Sequence, residues 1–75
     1  LKILPVHFNA AFSGKKRAEL RKFDLDYAEG DTLMLREWTE IGGYTGRVIM
    51  VEVTHIANVG EYAPGYLLLS FIVLN

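Results

Sequence analysis

Cysteine is absent from this 75-residue chain. That excludes a disulfide scaffold and any thiolate metal site. Proline occurs twice and tryptophan once, and neither sign of charge dominates: eight Lys and Arg face nine Asp and Glu, for a net charge of −1. Taken as a total, that balance argues against wholesale polyanion binding. No run of about 18 apolar residues exists, so a transmembrane helix is excluded. The longest apolar stretch, Tyr66–Leu74, is strand-length and interrupted by Ser70. No apolar leader with a cleavage site follows Leu1–Pro5. The chain does not begin with Met, so a few residues are expected to precede Leu1, and the cytoplasm is the default location.

What is present is apolar. Hydrophobic residues make up 51% of the chain, among them nine aromatics. A chain this short buries only about 60% of its unfolded surface, so its core must be dense. We read residues 1–75 as one domain, without repeats or linkers. Lys2–Leu4 is a short first strand. Pro5 suits the first turn of a helix, where its missing N–H is not needed. Phe8, Ala11 and Phe12 form one apolar helical face. Ser13-Gly14 stops the helix, with Gly14 free to take a positive φ. The period then changes to two. Arg17–Phe23 alternates, with Glu19 and Arg21 on one face and Leu20 and Lys22 on the other. Thr32–Trp38 alternates too, setting Leu33, Leu35 and Glu37 opposite Met34 and Arg36. Gly42-Gly43 signals a turn, and Arg47–Ile56 reads as a long β-branched strand. Asn58–Pro64 reads as a loop, and Gly65–Leu74 as a last strand apolar on both faces. Five strands and one helix predict a mainly β fold, a small five-stranded barrel whose closure removes sheet edges.

The charge is unevenly placed. Lys15, Lys16, Arg17, Arg21 and Lys22 put five of the eight positive charges into eight residues, with Glu19 the only acid there, for a local +4. The remaining residues carry −5. Such a segment beside Gly14 attracts phosphate, although a solvated, charge-protected edge strand has the same composition. The spacing adds to this. Gly14, Lys16, Glu19 and Arg21 fit G-x-K-x-x-E-x-R. This pattern resembles the signature of the ASCH (activating signal cointegrator homology) domain, a relative of the PUA RNA-binding barrel. Gly30-Asp31-Thr32-Leu33-Met34-Leu35 is similar to the "GD-x-L-x-L" segment of PUA-like barrels. Tyr44-Thr45-Gly46-Arg47 and Gly65–Ser70 resemble a compact, mostly bacterial and phage branch of that superfamily.

The resemblance implies a five-stranded PUA-like barrel that binds RNA or a nucleotide at Gly14, Lys16, Glu19 and Arg21. In residue terms, Arg21 offers a fork for phosphate or a guanine edge. Glu19 can accept from an exocyclic amine, and Lys16 supplies a point charge. The structural alternative is that Glu19 simply pairs with Arg21 or Lys16. Trp38 and Tyr44 are the best candidates for stacking on bases, with a core role as the alternative for any aromatic.

The resemblance also implies a second class, a hydrolase acting on RNA or an acylated cytidine nucleoside, with Lys16 and Glu19 as its candidate catalytic residues. The deacylase branch has Thr where this chain has Glu19, and draws a catalytic Glu from a helical insertion where this chain has only the short segment Asn58–Pro64. With Glu19 three residues away, Lys16 is read as a charged contact rather than a base. Thr45 and Ser13 are the candidate hydroxyl nucleophiles, without a visible activator. His7 and His55 lack metal-ligand spacing, so neither a metal nor a cofactor is expected. A weak homodimer through the last strand is the remaining partner weighed.

Overall fold

The computed structural model describes residues 1–23 and 25–74. Pro5 opens helix α1 (Pro5–Phe12), with the Leu4 carbonyl accepting from the His7 and Phe8 amides. Gly14 stops it at φ +82°, a left-handed conformation that costs a side-chain-bearing residue about 1–2 kcal/mol. The flanking strands are β1 (Lys2–Ile3), β2 (Ala18–Lys22), β3 (Thr32–Thr39), β4 (Gly43–Asn58) and β5 (Tyr66–Val73). They form one sheet in the order β1-β3-β4-β5-β2. The β1–β3 pair is parallel and the other three are antiparallel.

The mainly β fold with one helix is as expected, but the barrel is only half closed. Among the described residues no ladder joins β1 to β2, the two ends of the sheet order. The predicted closure therefore does not remove the edges. Instead a seam runs between them, crossed by Arg21 Nη1 donating to the Lys2 carbonyl at 3.3 Å.

The concave face holds the core. Ile3, Phe8, Ala11, Leu35, Ile49, Val51 and Phe71 pack into one buried cluster under α1, with Val53 and Leu69 buried beside it. Phe12 departs from the predicted apolar face: it is 61% exposed and lies against Phe8 only at a ring separation of 6.4 Å. Eight residues make little more than two turns, and the sheet covers only the face that carries Phe8 and Ala11. The last strand is also less buried than its sequence suggests. Leu69 and Phe71 point into the core, whereas Ile72 is about half exposed on the convex face.

Two bulges displace residues from strict alternation. Pairing shifts between Arg36 and Trp38, and again between Val53 and His55. The second shift takes His55 off the buried face of Val51 and Val53 and leaves it exposed beside Glu29. β4 is longer than predicted because the residues after Gly43 pair back onto Trp38 and Thr39. Residues Asp24–Gly30 read as loop-like in the sequence, and Asp24 lies outside the described residues. Among the described residues no helix is long and apolar enough to cross a membrane.

Candidate functional site

The turn after α1 delivers the first charged residue. The Ala10 carbonyl accepts from the Lys16 amide at 2.9 Å and from Ser13 Oγ at 3.1 Å, and Gly14 N bonds back to Ala11. Arg17 Nε closes the turn on the Gly14 carbonyl at 3.1 Å. Lys16 is thus fixed at the C-terminal end of a helix, where a cation is favoured. Its Nζ lies 3.0 Å from Glu19 Oε1.

Strand geometry delivers the other two. Glu19 pairs with Leu69 and Arg21 with Leu67 across the β2–β5 ladder, so both project toward the concave side. Glu19 Oε2 is 3.6 Å from Arg21 Nη1. One carboxylate therefore holds Lys16 on one oxygen and Arg21 on the other. The side chains are only 22%, 15% and 26% exposed for Lys16, Glu19 and Arg21, more sheltered than an ordinary surface pair. The internal ion pairing weighed from the sequence is present in both of its forms.

This chain of charges connects two cavities. Gly14, Lys16 and Arg17 border one of about 330 Å³ with Phe71, Ile72 and Val73. Arg21 borders a groove of about 500 Å³ with Lys2, Leu20, Lys22 and Tyr66. The groove lies along the seam, so the break in the sheet and the cationic cavity coincide. A third cavity of about 410 Å³ is bordered, among the described residues, by Phe23, Asn58, Gly60, Pro64, Gly65, Tyr66 and Leu67, none of them charged.

The aromatics expected to stack are placed differently from free platforms. Lys2 Nζ sits 4.2 Å from the centre of the Trp38 ring. The Arg36 guanidinium sits 3.7 Å from the centre of the Tyr44 ring. Each ring thus already carries a cation, an attraction worth about 0.5–1 kcal/mol at an exposed site. Tyr44 remains 49% exposed.

A second polar cluster was not foreseen. Glu37 is 5% exposed, on the same face as Leu35. Its carboxylate accepts from Thr45 Oγ1 at 2.7 Å and faces Arg47 Nη1 at 3.3 Å. Arg47 also bonds Asn9 Oδ1 at 3.3 Å and covers the Phe8 ring at 4.6 Å. The predicted alternation already put Glu37 beside Leu33 and Leu35. A carboxylate there needs partners, and Arg47 is the one cation of the following strand. Ser13 is engaged with the helix end instead.

A family model described as a domain of unknown function, DUF3850, matches residues 1–71. The chain belongs to the DUF3850 family. Gly14, Lys16, Glu19, Arg21, Glu37 and Arg47 all lie within the matched stretch. This DUF3850 chain is also 38% identical over 73 residues to an uncharacterized 12.9 kDa protein in the GpA 3′ region of Escherichia phage P2. The similarity covers 97% of this chain and 66% of the phage protein, so the chain spans just under two thirds of that relative's length.

Proposed function

We propose that this DUF3850 chain is an ASCH-type, PUA-like module that binds RNA or a nucleotide in the cytoplasm, at Gly14, Lys16, Glu19 and Arg21. The ASCH assignment rests on the spacing of those four residues. The observation that carries the binding role is the sheltered chain Lys16–Glu19–Arg21, whose Arg21 end opens on the cationic groove at the seam. Arg21 spends one nitrogen, Nη1, on Glu19 and Lys2. Among the described residues nothing bonds Nη2 or Nε, which offers a phosphate or a base edge the bidentate geometry at which arginine excels. Glu19 fixes where both cations stand and can read an amine once a ligand opens the pairs. The net +4 of the segment supplies attraction. The −5 elsewhere disfavours long contacts and favours a small ligand or a few nucleotides.

Fluorescence titration with nucleoside monophosphates and short single-stranded RNAs tests this. Arg21→Ala should weaken binding about 10-fold or more, the loss of a charge-assisted hydrogen bond. Glu19→Ala should blunt discrimination among the four bases. If both variants bind as the parent does, the site is wrong. Product formed from acylated cytidine or from RNA, and lost in Lys16→Ala, would instead favour the hydrolase reading.

A further inference from the structure

We infer that the binding surface extends beyond the motif, from Arg21 at the seam onto the outside of the half-barrel as a basic and aromatic strip, and that its ligand is a single-stranded nucleic acid of about four nucleotides. This rests on the proposed binding role and names the form of the ligand.

The strip follows from pairing and contacts. Lys22 and Arg21 line the groove on the β2 side of the seam, and Lys2 lines it on the β1 side. Lys2 is the register partner of Arg36 on β3, so these two cations stand side by side. The bulge after Arg36 then brings Trp38 opposite Tyr44. Lys2 lies over the first ring and Arg36 over the second. Four cations and two rings therefore run continuously from β2 across the seam to β4. Glu37, the acid on β3, is turned inward, where Thr45 donates to it and Arg47 neutralises it.

Cations interleaved with aromatics suit single strands, whose bases are free to stack while their phosphates meet the charges. A duplex keeps its bases stacked on one another and cannot use the rings. Strands lie about 4.8 Å apart, so a strip across β2, β1, β3 and β4 holds only a few nucleotides, near the low end for small barrels. Lys2 and Arg36 are suited to a double role. In the free protein each lies over a ring, which holds a flexible cation in place. A phosphate competes for the cation, and a base then takes the vacated ring face.

Trp38 is the single tryptophan, so fluorescence excited at wavelengths that tyrosine does not absorb reports on this strip. The test titrates uridine monophosphate, tetra-uridylate, octa-uridylate and an eight-base-pair RNA duplex. The tetramer and octamer should quench Trp38 and bind at least 10-fold more tightly than the monophosphate. Log affinity against log salt should have a slope of about −2.8, four phosphates at −0.7 each. Lys2→Gln and Arg36→Gln should each reduce the slope by about 0.7. Tyr44→Leu should weaken the octamer roughly 5- to 100-fold, and by more than it weakens the monophosphate. A circular-dichroism melt shows that each variant is folded. If the octamer binds no better than the monophosphate and leaves Trp38 unquenched, the strip is overturned and the motif site stands. If neither binds, the underlying role fails and the strip falls with it. A duplex that binds as tightly as the octamer overturns the single-strand assignment.

Discussion

The hydroxyl of Thr45 donates to the buried carboxylate of Glu37 across 2.7 Å. With Arg47 Nη1 on the other oxygen, both carboxylate oxygens are engaged at the junction of β3, β4 and α1. Thr45→Val keeps the shape and removes the donor, leaving one buried oxygen short of a partner. We predict a loss of about 1–3 kcal/mol, read from urea unfolding at pH 7. A change below about 0.5 kcal/mol would show that water replaces the hydroxyl.

Phe8 and Phe12 are neighbours on one helix with opposite consequences. Phe8 is 1% exposed and Phe12 61%. Phe8→Ala should cost about 3–5 kcal/mol. The whole domain is worth about 4–11 kcal/mol at this length, so that variant should melt well below the parent or be partly unfolded. Phe12→Ala should stay within about 0.5 kcal/mol. Equal losses in the two would mean that Phe12 is buried against something in solution.

Gly14 is needed for its backbone, not for space. A Cβ built there meets nothing within 4 Å, but φ is +82°. Gly14→Ala should therefore cost about 1–2 kcal/mol through conformation alone. Gly14→Asn should cost less, since Asn tolerates this region. Thermal melts of the two variants separate backbone strain from steric conflict: conflict would make the larger Asn worse.

Hydrogen exchange should reveal the seam. The Phe71 amide bonds Arg17, and the Phe23 amide bonds Gly65. Odd positions of β2 are thus the hydrogen-bonded ones in its ladder with β5, and the amides of Ala18, Leu20 and Lys22 face the seam. Leu20 should exchange at least 10-fold faster than Glu19 and Arg21 under native conditions. Equal protection would mean that β1 or another chain closes the edge.

Much of this architecture was legible because local signals were strong. Pro5 and Gly14 bracket the helix, and alternation placed Glu19 with Arg21 and Leu33 with Leu35 and Glu37. What was not legible depends on pairing between distant strands. The bulge before His55 turns that residue outward, although Val51, Val53 and His55 alternate in sequence. The seam was hidden for a related reason: composition counts strands but does not say whether the first and last in the sheet meet. Contacts among Lys16, Glu19 and Arg21 could be anticipated from spacing. The cations over Trp38 and Tyr44 could not, since Lys2 reaches Trp38 only through the β1–β3 register.

The open edge of β2 also bears on solubility. An unpaired strand invites a second copy to add its own edge, and Arg21 and Lys22 there oppose this by like-charge repulsion. A bound polyanion would neutralise that guard. The molecule is then least protected against self-association when its cations are saturated, so concentrated complexes with short polyphosphates should scatter more light than the free protein at the same ionic strength.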